Sequence, residues 1–387
     1  MSSVRAKVCK DKSHKKVVSP EGKIKSFEEI EVSTKTVIAV TNLSIDLDRF
    51  FTYVPITDYI PTPKRRGRKK RINVQPPVPT LPKGSVVLAQ KQRQFRGSYT
   101  KSKSKKSTYF LHSVTIVMSL DNNKLINVKV SSNGKLQITG CKEDNHFIHT
   151  VTTLYHVLKR MEEMTGEQIF SLRNTPDRLD VVFNTVMQNM DFNIGFNICR
   201  DKLDSFINRH TKFRSIFESA INTGVNIKVK CNPTDKNEIL QIQYNVNTKT
   251  ISKEMVPYSV YCNLLEDKEK RKETKKEKHH TFLVFASGSI IMSSRGSDMG
   301  RVFQDLVHTL LNNKIEFEDK TYKPTPFNQD ATMYIGLDLS KDSSSIDLDQ
   351  EQCEAMKKEL EEFNEDEEFD EDEEKEGTSS TFQSCSS

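Results

Sequence analysis

Two stretches of this chain, Asn133-Gly134-Lys135-Leu136-Gln137-Ile138-Thr139 and Ser287-Gly288-Ser289-Ile290-Ile291-Met292-Ser293, follow one plan. Asn-Gly and Ser-Gly admit the positive φ that a tight two-residue turn needs, and the residues after each pair suit a strand. The second stretch lies over the first at an offset of 154. Strand-like runs precede both: Ser85–Ala89, Leu111–Leu120 and Leu125–Val130 in one case, and Val225–Lys230, Ile239–Tyr244 and Thr281–Phe285 in the other. A helix face follows both. Phe147, Ile148, Val151, Leu154, Tyr155 and Leu158 form the first, and Val302, Phe303, Leu306, Val307 and Leu310 the second.

Further out, the same order continues. Thr36–Leu43 reads as a strand, and Ile45–Val54 places Leu47, Phe50, Phe51 and Val54 at helical spacing. Val181–Met190 is the corresponding strand, followed by a short helix Lys202–Asn208 with Leu203, Phe206 and Ile207 inward. The opening helices are offset by about 156, and Asn42 and Asn189, near the ends of the two first strands, by 147. Recurring offsets of this kind predict a duplicated supersecondary unit. The expected class is α+β. Two antiparallel sheets with helices on one face join into a single curved sheet whose other face is uncovered.

The predicted organisation is a disordered, Lys- and Ser-rich segment 1–30, with order starting near Val32. A first repeat covers 31–170, with a basic Pro/Lys/Arg-rich insertion at 61–106, and a second covers 171–325, with a charged insertion near 266–280. An acidic disordered tail occupies 340–387. Glu266–Lys278 has no apolar face and reads as a solvated insertion. The 387 residues leave room for about two domains, yet only 35% are hydrophobic, against roughly 45–50% in an average globular chain, so much of the chain lies outside any core. The net charge of +6 conceals a polarisation. Residues 61–106 hold 15 Lys/Arg and no acid, whereas 351–376 hold 15 Asp/Glu against 3 Lys. Such a basic segment seeks anions, and the tail repels or mimics them.

Other classes find little support. No stretch approaches the roughly 18–20 apolar residues that cross a bilayer, and no secretory leader is visible, so no membrane partner is expected. The seven cysteines are odd in number and never spaced C-x-x-C, which predicts reduced thiols in a cytosolic or nuclear compartment, with neither a zinc site nor a disulfide framework. His279-His280 lacks a second ligand pair. There is no Walker loop, G-x-S-x-G or H-E-x-x-H, and Asp46 and Asp48 fall on a surface helix. The chain is therefore read as no enzyme and as needing no cofactor. A nuclease or glycosylase on a related sheet is the catalytic alternative.

A broad bare strand surface can lie on the shallow minor groove of duplex DNA, where readout is mainly A·T against G·C. The residues also carry a family resemblance. Thr139-Gly140-Cys141-Lys142 after the first hairpin, Leu283-Val284-Phe285-Ala286-Ser287-Gly288 in the second, Gln188-Asn189-Met190, Val40-Thr41-Asn42-Leu43 and Leu81-Pro82-Lys83 resemble, in order, motifs of the TATA-binding protein family. The Lys/Asn/Ile-rich insertions are similar to the divergent versions of large DNA viruses.

What that resemblance implies is a saddle-shaped pseudo-twofold monomer with helices on its convex face. It would bind AT-rich promoter DNA through the minor groove, bend it, and serve transcription initiation with a transcription factor IIB-like protein and RNA polymerase. It would act in the nucleus, or in a viral factory or virion. A scaffold that has lost DNA binding is the alternative.

The resemblance places Asn42 and Asn189 at the saddle centre, where amides donate to A N3 or T O2. The other reading of both is that they close turns. Thr139 and Ser293 become equivalent hydroxyls. Phe217 and Phe285 match the family's second pair of base-step wedges, against a simpler role in core packing. In the first repeat those places hold Ser85 and either Ser131 or Val130, which implies a kink at one end only or a straighter site bound with weaker TATA selectivity. The run Pro63–Arg71, with Arg66-Gly67-Arg68, reads as nonspecific DNA binding, a nuclear-localisation stretch or an AT-hook. The tail is a solubilising extension, a DNA mimic lying over the basic saddle, or a segment that docks onto a basic transcription partner.

Overall fold

The structure is a computed structural model. It describes residues 16–18, 24–59, 80–97, 112–121, 124–219, 223–231, 238–275, 277–295 and 298–321. In chain order the first half has β1 (Val32–Thr41), β2 (Leu43–Ile45), α1 (Leu47–Tyr53), β3 (Val86–Lys91), β4 (Gln94–Arg96), β5 (Ser113–Ser119), β6 (Leu125–Ser131), β7 (Lys135–Cys141) and α2 (Asp144–Thr165). The second has β8 (Phe170–Leu172), β9 (Arg178–Asn193), α3 (Arg200–His210), β10 (Arg214–Ile216), β11 (Val225–Lys230), β12 (Glu238–Asn245), β13 (Ile251–Pro257), α4 (Tyr258–Leu264), α5 (Asp267–Lys275), β14 (His279–Val284), β15 (Ser289–Ser294), α6 (Met299–Asn312) and α7 (Lys314–Phe317).

One large antiparallel sheet runs β10-β11-β14-β15-β9-β1-β7-β6-β5-β3-β4. Read outward from the central pair β1 and β9, each half meets its hairpin strands first (β7 and β6, or β15 and β14). Its next strands follow (β5 and β3, or β11 and β10). β2 and β8 form a separate two-stranded sheet.

The hairpin glycines behave alike. Gly134 has φ +79° and Gly288 φ +74°, and a Cβ would lie 2.3 Å from the Leu43 carbonyl oxygen in the first and 2.0 Å from that of Phe196 in the second. Only glycine satisfies both demands.

Two apolar clusters lie on the helix-bearing side. One joins Val37, Ala39, Leu136, Ile138, Val181 and Phe183 to Phe50 of α1 and to Phe147, Val151 and Leu158 of α2. The other joins Met190, Phe192, Phe282 and Met292 to Leu203 of α3 and to Phe303, Leu306 and Leu310 of α6. Every third or fourth residue of α6 is buried, which is why that stretch is helical. Cys141 is buried in the first cluster, which pushes its thiol pKa up to about 12 and makes it inert.

Four expectations are corrected. The strand Ile239–Tyr244 does not fall between Val225–Lys230 and Thr281–Phe285 in the sheet. It is β12, which pairs with β13 and with the first half of the long strand β9 (Leu240 to Phe183, Gln243 to Asp180). The strand outside β11 is instead the three-residue β10. The insertion assigned to 61–106 is too wide, because β3 and β4 lie inside it. Within 1–30, Val17 is fully buried in the second cluster and the Phe27 ring packs 5.7 Å from Phe303, so residues 16–18 and 24–30 are folded onto the body. Fourth, the second face of the sheet is not bare. Cross-strand partners share a face and neighbours alternate, so Ile38, Val40 and Val182 point away from α1 and α2. They pack with Tyr258, Val260, Tyr261 and Cys262 of α4.

Among the described residues no helix is long and apolar enough to cross a membrane. Residues 60–79 and 322–387, which include the basic run and the acidic tail, lie outside the described residues.

Candidate nucleic-acid interface

The second face carries an aligned polar row. Across β10, β11, β14, β15, β9 and β1 the register lines up Arg214, Lys228, Thr281, Ser293, Asn189 and Thr34. Arg214 and Lys228 are exposed, while Asn189 and Thr34 are buried. In the other half the row is Thr36, Thr139, Asn127, Val117 and Leu88. The outer part of that half is apolar, since Leu88 and Val117 pack with Leu81 and Tyr59. Exposed cations of the rows are therefore concentrated in the second half.

Four buried side-chain atoms on this face have no hydrogen-bond partner among the described residues: Thr34 Oγ1, Asn127 Oδ1, Asn189 Oδ1 and Asn226 Oδ1. Buried polar atoms are paired in the great majority of cases. Three unpaired amide oxygens and a hydroxyl on one sheet face, with the exposed cations Arg214 and Lys228 at one end of the row, suit a ligand that offers both hydrogen-bonding edges and negative charge.

Asn189 stands in this set, opposite Ser293. Asn42 does not. It lies one residue past β1, its amide nitrogen donating to Thr175 Oγ1 at 3.0 Å and to the Arg178 carbonyl at 2.8 Å, while its Oδ1 accepts from the Asp180 backbone N–H at 3.0 Å. It closes the entry to β9, the bland role of a strand-end Asn. The residue that matches Asn189 in register is Thr36, which stands opposite Thr139 as Asn189 stands opposite Ser293. The offsets, 153 and 154, agree with each other and disagree with 147.

Phe217 follows β10, half-buried against the second cluster, with the Arg200 guanidinium 5.0 Å over its ring. Phe285 follows β14, half-buried, and its backbone closes the hairpin to Ser289 at 2.9 Å. In the first half Val130 is fully buried in the first cluster, which leaves Ser131 and Ser85 at the positions where wedges would stand. Arg66 and Arg68 lie outside the described residues.

Sequence reasoning missed Arg214, Lys228, Thr36 and Asn127. The alternation of Arg214 with buried Ser215, and of Lys228 with buried Ile227, carried the signal. It also missed a buried polar chain: His280 Nδ1 bonds Ser294 Oγ, and its Nε2 lies 2.9 Å from Asp298 Oδ1. All three side chains are buried, so the trio braces β14, β15 and the start of α6 and presents no hydroxyl to a substrate. No group of three or more His, Cys, Asp or Glu that could hold a metal ion occurs among the described residues.

No family model matches the chain. The chain is 26% identical over 277 residues to uncharacterized protein 335L of Invertebrate iridescent virus 6, a match covering 69% of this chain and 78% of that one. Over 156 residues it is 30% identical to the TATA-box-binding protein-like protein of Acanthamoeba polyphaga mimivirus, covering 38% of this chain and 40% of that one. Among solved structures, Methanococcus jannaschii TBP aligns with 73% of this chain and 98% of its own length, at 9% identity and a TM-score of 0.35.

Proposed function

We propose that this chain, a divergent TATA-binding-protein-like protein, binds double-stranded DNA through the second face of its large sheet and serves viral transcription initiation. The supporting observation is the row Arg214–Lys228–Thr281–Ser293–Asn189–Thr34 together with the unpaired amides beside it. A minor groove presents the acceptors A N3 and T O2, which take hydrogen bonds from donors such as the Asn189 Nδ2 amide and the Ser293 and Thr34 hydroxyls, and phosphates that meet the rim cations, so an AT-rich promoter suits that readout. On this reading the two halves of the sheet are copies of one unit forming a saddle. Phe285, and less favourably Phe217, wedge a base step at the second half alone, and the bound duplex recruits a transcription factor IIB-like protein and RNA polymerase.

Selection from random duplexes at stated salt tests the reading. Enrichment of AT-rich sites by the full chain, lost in the Asn189→Ala variant, is the expected outcome. The scaffold reading draws on one observation, the packing of α4 against Ile38, Val40 and Val182. Absence of any duplex selection would favour it.

A further inference from the structure

The segment between β13 and β14 lies where a duplex would have to sit. Tyr261 of α4 clusters with Val182 of β9, Ile239 of β12 and Val256 of β13 on the second face, and Ile38 and Val40 of β1 and Tyr258, Val260 and Cys262 of α4 pack against that cluster. The Tyr261 hydroxyl shares a hydrogen bond with the Asn184 side chain, and burial pushes that phenol up to about 12. α5 then joins the two halves by charge. Glu269 pairs with Lys135 at the start of β7, and Glu273, one helical turn later, lies 3.4 Å from Arg295 at the end of β15. Glu273 also accepts from the Tyr258 hydroxyl and sits 3.2 Å from Lys278. Lys268 and Arg271 are exposed. The helix is thus turned with its carboxylates on the sheet's cations, although its sequence is richer in Lys and Arg than in acid.

We infer that α4 and α5 form a lid in cis over the nucleic-acid face, latched by Glu269 on Lys135 and Glu273 on Arg295, and that duplex DNA binds by displacing it. This rests on the DNA-binding reading above. The latch is ionic, with Glu269–Lys135 about a third exposed and individually weak and Glu273–Arg295 more buried, whereas the apolar contact of α4 sets the closed position. A phosphate backbone is the competing anion for both latch cations. Because only the closed state buries Asn184 under Tyr261, DNA affinity is lowered by the fraction of molecules that are closed.

Two measurements on the full chain test the lid. The first is fluorescence anisotropy of an AT-rich duplex at fixed salt, with wild type and the E269Q/E273Q variant, both checked for folding by circular dichroism. Tighter binding by the variant, roughly five-fold for two weakened ion pairs, is expected. Equal or weaker binding by a folded variant overturns the lid alone, and failure of both proteins to bind any duplex overturns the DNA reading and the lid with it. The second needs no variant: hydrogen–deuterium exchange of 258–275 with and without saturating duplex. Faster exchange in the complex is expected, and unchanged or slower exchange with duplex bound overturns the lid.

Discussion

Asn189 on β9 stands directly opposite Ser293 on β15, in the same cross-strand relation that joins Thr36 on β1 to Thr139 on β7. Asn42, outside that relation, is tied to Thr175, Arg178 and Asp180. The two asparagines should therefore separate in function. Asn189→Ala should weaken duplex binding by roughly ten-fold with little loss of thermal stability, since its Oδ1 has no partner to lose. Asn42→Ala should lower stability by about 1–2 kcal/mol and leave the affinity of the folded fraction unchanged. Thermal melts and anisotropy on the same samples check both.

The wedge candidates lie in one half of the sheet. Fluorescence energy transfer across an end-labelled duplex should show a single kink, lost in Phe285→Ala. Phe217→Ala should act mainly on stability, because that ring already packs on the second cluster and under Arg200. Two equal kinks would contradict this asymmetry.

Glu273 gives the α4–α5 segment a pH dependence. Burial would raise its carboxyl, but the Tyr258 hydrogen bond and the cations Arg295 and Lys278 outweigh burial and hold it below the ordinary 4.5. A carboxyl depressed in the folded state contributes stability in full above its ordinary value and loses it as pH falls through the depressed one. Packing of 258–275 should loosen as pH drops below about 4.5, and the Glu273→Gln variant should lose that dependence. Nuclear magnetic resonance of the Tyr258 ring against pH reads it directly.

The run 63–71 carries seven cations in nine residues. If it lies along phosphates, its deletion reduces the slope of log affinity against log salt by about 0.9 for each phosphate it had neutralised. An unchanged slope would place the run off the DNA.

Much of this fold was legible because its signals are local. Gly134 and Gly288 marked the hairpins, and the 3.6-residue spacing in α2 and α6 and the apolar run of β1 fixed elements that the structure contains. What failed required pairing information. Ile239–Tyr244 has a strand's alternation, but nothing in it says that its partner is the first half of β9. β10 is three residues long and shows no period. α5 has no apolar stripe, since its order comes from ion pairs to residues over a hundred positions away or on the next strands. Asn42 misled because a strand-end Asn looks alike whether it closes a turn or faces a ligand, and only the register of β1 against β7 points to Thr36.

The central claim is that the second face reads a minor groove. Replacing the A·T pairs of a selected site by inosine·cytosine pairs keeps the minor-groove pattern of acceptors, without the guanine amino group, while rewriting the major groove. Anisotropy at fixed salt should give an affinity within about three-fold of the A·T site, and well above that of the G·C version. An inosine site bound no better than G·C would contradict minor-groove recognition by this sheet.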